Sequence, residues 1–206
     1  MAELRGEKEI SRIDSEVRDE DWNARELLQQ TFSHIAFVDV DMTEVVNNGS
    51  TFTECEFRGV RFNVSVHTNA VFVNCTFVAC TFFGATFAHC KLVGSTFDRC
   101  TFSTLEIEGG DWSFIALRNA DLRGARISHV RMREADLTGA NAQGISLRHV
   151  DLSGAWLDGA NLSGCDLRGS DLSSIDPMAS KINGVIIDWE QAVQIATSLG
   201  LDVRPN

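Results

Sequence analysis

Six cysteines are the first residues of this chain that invite a chemical reading. Cys75 and Cys80, in the run CTFVAC, have the short spacing at which thiolates hold zinc or form a disulfide. A wider view speaks against both. Cys55, Cys75, Cys80, Cys90, Cys100 and Cys165 all fall at positions ending in 0 or 5. A cysteine placed by a period, and sharing its column with Ala, Ser and Val, reads as a small buried hydrophobe. The histidines follow the same period: His89, His129 and His149 share one column, and the last two lie 20 residues apart. Two imidazoles are too few ligands for a protein zinc site, so neither metal nor cofactor is expected. The sequence has no phosphate-binding glycine loop, nucleophile elbow or zinc-protease motif. Its carboxylates mostly precede a large apolar residue and point outward, with no cleft to shift their pKa values. An enzyme is not expected.

The period that places the cysteines organises the chain. From Phe32 to Leu172, 27 of the 29 positions ending in 2 or 7 are apolar, and the register never slips. Val17, Trp22 and Leu27 keep step upstream; Ile182 and Ile187 resume the pattern after Pro177. Thirteen of the 16 glycines sit two positions after the large residue. The unit is small–polar–large–polar–glycine, as in ADLRG, ADLTG and ANLSG. Neither a helix, with period 3.6, nor a strand, with period 2, repeats every five residues. Five residues do fit one side of a coil: a short extended stretch followed by a glycine-tolerant corner. Asn47 and His67 are the two polar exceptions in the large column, 20 residues apart. They either hydrogen-bond to each other or mark a bulge where one side opens.

This pattern resembles the pentapeptide-repeat family, whose consensus is A(D/N)LXX. The resemblance implies an all-β fold, a right-handed quadrilateral β-helix, over residues 17–187. At about 20 residues per coil that stretch makes some eight coils, or roughly 40 Å of rod at the β-sheet spacing. Phenylalanine fills 11 of the 15 large positions from 32 to 102, and leucine 9 of the 14 from 107 to 172. Two packing regimes in one continuous core are expected.

Solenoid ends need caps. Asp188, with Gln191 three residues on, has the spacing of a helix-capping box, and Gly200 is placed to end the helix. Residues 188–206 are therefore expected to form a short helix and tail that cover the last coil. Trp189, Val193, Ala196 and Leu199 share a face at helical spacing and, with Ile187, are the candidate dimer interface. Residues 1–16 carry many charges and no repeat, and are expected to be a flexible tail.

The net charge of −11 excludes a conventional nucleic-acid binder, which needs Lys and Arg to displace counterions. No apolar run approaches the ~20 residues that span a bilayer, and the first residues lack the apolar stretch of a secretory signal. A cytoplasmic protein that binds neither nucleic acid nor membrane is expected. The early RDEDW segment, the IDP break and the terminal DWEQAVQIATSLGL segment resemble the mycobacterial fluoroquinolone-resistance branch of the family, which is related to the Qnr proteins. That resemblance implies a homodimeric rod, without projecting loops, that mimics DNA, binds DNA gyrase and protects it from fluoroquinolones. Asp111, Asp121, Asp136, Asp151, Asp166 and Asp171 are the candidates to face gyrase, although they fall on all four sides of the rod. The competing expectation is an interaction or scaffolding module unrelated to gyrase.

Overall fold

The structure, a computed structural model, describes residues 12–204. Its backbone is a parallel ladder with an offset of 20 residues. Ser15–Arg18 pairs with Ile35–Val38, Glu26–Leu28 with Val46–Asn48, and Thr31–Ser33 with Thr51–Thr53. Single bridges such as Asp21 to Asp41 and Asn161 to Lys181 keep the same offset. Four five-residue sides thus close each coil, giving a right-handed, four-sided β-helix with one short helix, Trp189–Ser198, at its C-terminal end. We number the sides by their inward residues in one coil: side I holds Phe37, side II Met42, side III Asn47 and side IV Phe52. On side III the ladder climbs from Glu26 through Val46, Thr86 and Arg126 to Ile186 in eight steps, about 38 Å at the strand spacing.

The corners explain the glycines. From Asp19 to Gly169, and again at Gly184, positions ending in 4 or 9 turn in the left-handed region, with φ from 49° to 82°. Nineteen of these corners nevertheless carry a side chain, because ladder bonds such as Asp39 N–H to Arg58 O at 2.8 Å hold the backbone there.

Because in-register strands place equivalent residues one above another, the large side chains form columns. Phe37, Phe57, Phe77 and Phe97 stack at centroid distances of 5.0, 4.8 and 4.5 Å, with ring planes within 7° of parallel. Rings on adjacent sides meet edge-on, as Phe57 and Phe62 do at 62°. The phenylalanine and leucine stretches merge into one core. In the small column, Cys and Ser play the same part. Cys80 Sγ donates to Phe57 O at 3.3 Å and Ser95 Oγ to Phe72 O at 3.0 Å, in each case 23 residues back.

Both ends refine the expected boundaries. Among the described residues the ladder begins where the Asp14 amide donates to His34 O at 2.8 Å, and Ser15–Arg18 already forms a strand, so the coil starts before residue 17. Residues 1–11 of the expected tail lie outside the described residues. At the Asp-Pro break, Asp176 folds a turn that takes up one side: the Met178 amide donates to its carboxylate at 2.8 Å. Lys181 then bridges to Asn161 in register.

The capping box forms as its spacing predicts, with Gln191 N–H to Asp188 Oδ1 at 3.0 Å and Asp188 N–H to Gln191 Oε1 at 2.8 Å. The face that covers the last coil is set by Gln191 and Ile195. Gln191 is buried and Ile195, one turn on, packs on the core, whereas Trp189 is 75% exposed. The physical reason is a polar anchor: Gln191 Nε2 donates to both Leu167 O and Ser170 O at 2.7 Å, and this fixes the rotation of the helix.

Candidate partner-binding surface

Outward positions flank each large residue, so the surface is read from the two polar residues of every unit. The six aspartates singled out by the repeat lie on different sides: Asp111, Asp151 and Asp171 on side IV, Asp136 on side I, Asp121 on side II and Asp166 on side III. Five of them have an arginine partner. Asp111 meets Arg131 at 3.1 Å, Asp121 meets Arg123 at 2.6 Å, and Asp166 meets Arg168 at 2.7 Å. Asp151 pairs with Arg133, and the largely buried Asp136 with Arg118. Arg168 holds the Asp166 carboxyl well down, at about 2. Among the described residues, Asp171 alone of the six has no cation within ion-pair distance. These carboxylates are largely neutralised where they stand.

The free negative charge lies elsewhere. Residues 12–50 hold nine carboxylates against three arginines, whereas residues 51–206 hold 17 against 13 Lys and Arg. Asp19, Glu20, Asp21, Asp39 and Asp41 line an open cleft along side II and its corner with side I. Asp41 pairs with Arg61 at 2.9 Å, which keeps its pKa at about 2. Asp19, Glu20, Asp21, Glu26, Asp39 and Glu44 have no ion pair among the described residues. The repeat draws the eye to its most regular units, near the C-terminus. A windowed count of charge would have found the acidic pole in the sequence.

The other singled-out residues separate cleanly. Asn47 and His67 are buried and hydrogen-bonded at 3.2 Å, and the ladder passes through them without a bulge, so this side does not open. His129 and His149 stack at 4.8 Å on an exposed corner, with Glu108 at 3.1 Å from His129 Nδ1. No group of three or more potential metal ligands occurs among the described residues. No helix among them is long and apolar enough to cross a membrane.

The residues expected at a dimer contact lie around the terminal helix. Trp189 and Leu199 are exposed, and Ile187, Val193 and Ala196 are partly covered. Met178, Ile186, Leu201 and Val203 add further exposed apolar surface in the same C-terminal region.

Fold and surface together define a parallel β-solenoid with five-residue sides, whose outward residues form an acidic pole at one end and an apolar one at the other. The family model described as a pentapeptide repeat region matches residues 50–127 and 80–162, and the chain belongs to the pentapeptide-repeat family. No curated protein matches the chain in sequence. Solved structures, compared by fold, do match. The plasmid-mediated fluoroquinolone resistance protein QnrB1 is 20% identical, over 90% of this chain and 100% of its own, with a TM-score of 0.42. HetL, a pentapeptide repeat protein involved in heterocyst differentiation regulation in the cyanobacterium Nostoc sp. strain PCC 7120, is 20% identical over 86% of this chain and 90% of its own, with a TM-score of 0.30. Rfr23 from the cyanobacterium Cyanothece 51142 is 15% identical over 82% and 88%, with a TM-score of 0.27.

Proposed function

We propose that this chain is a DNA-mimicking protein that binds DNA gyrase, competes with duplex DNA for it, and thereby confers or modulates fluoroquinolone resistance. The observation that carries the reading is the acidic pole. Duplex DNA holds one charge per ~1.7 Å of axis, so about 10 Å carries roughly six negative charges. Residues 12–50 occupy two coils, also about 10 Å, and their nine carboxylates and three arginines leave a net charge of −6. Over the whole rod the charge density falls well below that of DNA; over these two coils it matches.

The charge spreads over sides I to III, from Glu16 through Asp21 and Asp41 to Glu26, while side IV presents Thr31, Ser33, Thr51 and Thr53. A partner built to grip duplex DNA is basic and meets this end favourably. The apolar C-terminal region supports pairing of two copies end to end, which would place one acidic pole at each tip of a longer rod. The reading is tested by inhibition of purified gyrase supercoiling, and by whether added competitor duplex relieves it.

A further inference from the structure

Resting on that reading, we infer that the edge between sides II and III, centred on Val46, Val64, Val66 and Phe83, is the apolar anchor by which the acidic pole is held on a basic protein surface. These four side chains are 45%, 49%, 40% and 56% exposed. They are contiguous. Val46 and Val66 are direct ladder partners on side III. Val64, at the corner two residues before Val66, reaches over the next coil to within 3.9 Å of where a Cβ on Gly84 would lie, and its amide donates to Phe83 O at 2.8 Å. Isolated exposed apolar residues are ordinary, but a contiguous ridge on an otherwise polar coil marks a contact surface.

Val64 adds a second observation. It holds φ of 57°, a conformation that is costly for a β-branched residue, at a corner where later coils carry Gly84, Thr104, Gly124, Gly144 and Gly164. Glycine fits this corner without that cost, so a polar coil gains nothing for its fold from an exposed valine here that glycine would not supply.

The surroundings select the occupant. Glu26 is the ladder partner of Val46, Glu44 is the corner residue one coil before Val64, and neither has an ion pair among the described residues. A second copy would bring the same carboxylates against these, and nucleic acid or an anionic membrane would bring more negative charge. A protein surface with apolar projections set among Lys and Arg complements both features. Such an anchor also separates this chain from DNA itself: apolar burial does not depend on counterion release, so binding should weaken less steeply with salt than DNA binding does.

The test is the affinity of purified gyrase holoenzyme for the wild-type chain, for a Val64→Gly/Val66→Thr/Phe83→Ser variant, and for Trp156→Ser, an exposed apolar residue on side I. Val64→Gly relieves the corner, so the triple variant should keep its fold and melting temperature while binding at least tenfold more weakly. Trp156→Ser should bind like wild type. Equal binding by wild type and the triple variant overturns the anchor and leaves the functional reading standing. A wild-type chain that does not bind gyrase overturns both. A triple variant that sediments as a smaller species than wild type assigns the ridge to a second copy and overturns the anchor.

Discussion

The amide of Asn47 donates to Nδ1 of His67 at 3.2 Å, directly across one step of the ladder inside an otherwise apolar core. The rest of the network fixes the tautomer. Ser65 Oγ donates to Phe62 O at 2.7 Å, so it must accept from His67 Nε2–H at 3.0 Å. Asn47 Oδ1 accepts from the Ser50 amide at 3.2 Å, and the imidazole stacks on Phe87 at 4.5 Å. Every polar atom of the pair is satisfied, and no charged group takes part.

Burial holds His67 neutral, with its pKa lowered to about 3. The sign follows directly. The unfolded chain takes up a proton near pH 6.5 that the folded chain refuses, so stability is lost as pH falls from 6.5 toward 3, by about 1.4 kcal/mol per unit. The lowered carboxylates Asp41 and Asp166, both at about 2, remove stability only below pH ~4. Urea unfolding between pH 4.5 and 6.5 should show the histidine slope, and an Asn47→Leu/His67→Phe variant should lack it.

The same pair makes a double-mutant prediction. His67→Ala leaves Asn47 and Ser65 without their partner and opens a cavity, and should cost about 3 kcal/mol. The Asn47→Leu/His67→Phe variant extends the Phe87 stack, and its Ser50 amide can turn to the Asn47 carbonyl, as Ser65 N–H does to Phe62 O at 3.2 Å. It should lie within about 1 kcal/mol of wild type or above it. A double variant as unstable as the single one would contradict this account.

Gly110 is a sharper test of the coil geometry than any corner glycine. A Cβ there would sit 2.0 Å from Cys90 O, the atom that accepts from the Asp111 amide at 3.0 Å. Gly110→Ala must push two coils apart and should destabilise by at least about 2 kcal/mol. Gly144→Ala, which meets nothing within 4 Å, should cost about 1 kcal/mol through its φ of +72°. Thermal melts of the two variants decide the order.

The cysteines should react in sequence. Cys100 is only partly buried, and its interaction with the neighbouring Cys80 thiol lowers its pKa; burial raises Cys90 to about 11. Brief alkylation of the native protein, read by peptide mass spectrometry, should label Cys100 first and leave Cys90 and Cys165 intact until the chain unfolds. Early labelling of Cys90 would show that the coil opens locally.

The proposed end-to-end pairing predicts that the wild-type chain sediments as two copies and Val193→Asp as one, because the variant places a charge in the expected apolar contact. Persistence of the pair would move the contact away from this helix.

Much of this was legible in the residues themselves. The period of five fixes which side chains face inward, so the phenylalanine columns and the inward cysteines could be read before any coordinate, and the three-residue spacing of Asp188 and Gln191 gave the capping box. What could not be read depends on three dimensions. Whether Asn47 and His67 bonded or bulged turned on ring orientation, which no spacing encodes. The helix was rotated by Gln191, a polar residue whose partners, Leu167 O and Ser170 O, belong to another coil. Arg118 and Arg133 plainly interrupt the acidic field, but that they meet Asp136 and Asp151, each 18 residues on in the chain, depends on contact across the ladder.

The most direct test is the inhibition of purified gyrase supercoiling by the wild-type chain and by an Asp19→Asn/Asp21→Asn/Asp39→Asn/Glu44→Gln variant, each with competitor duplex and with a fluoroquinolone. The expected result is inhibition by wild type that added duplex relieves, protection of supercoiling from the drug, and at least a tenfold weaker effect of the neutralised variant. Absence of any effect at micromolar wild-type protein, with the β-helix verified by circular dichroism, would contradict the proposed function; equal potency of the two proteins would contradict the role given to the acidic pole.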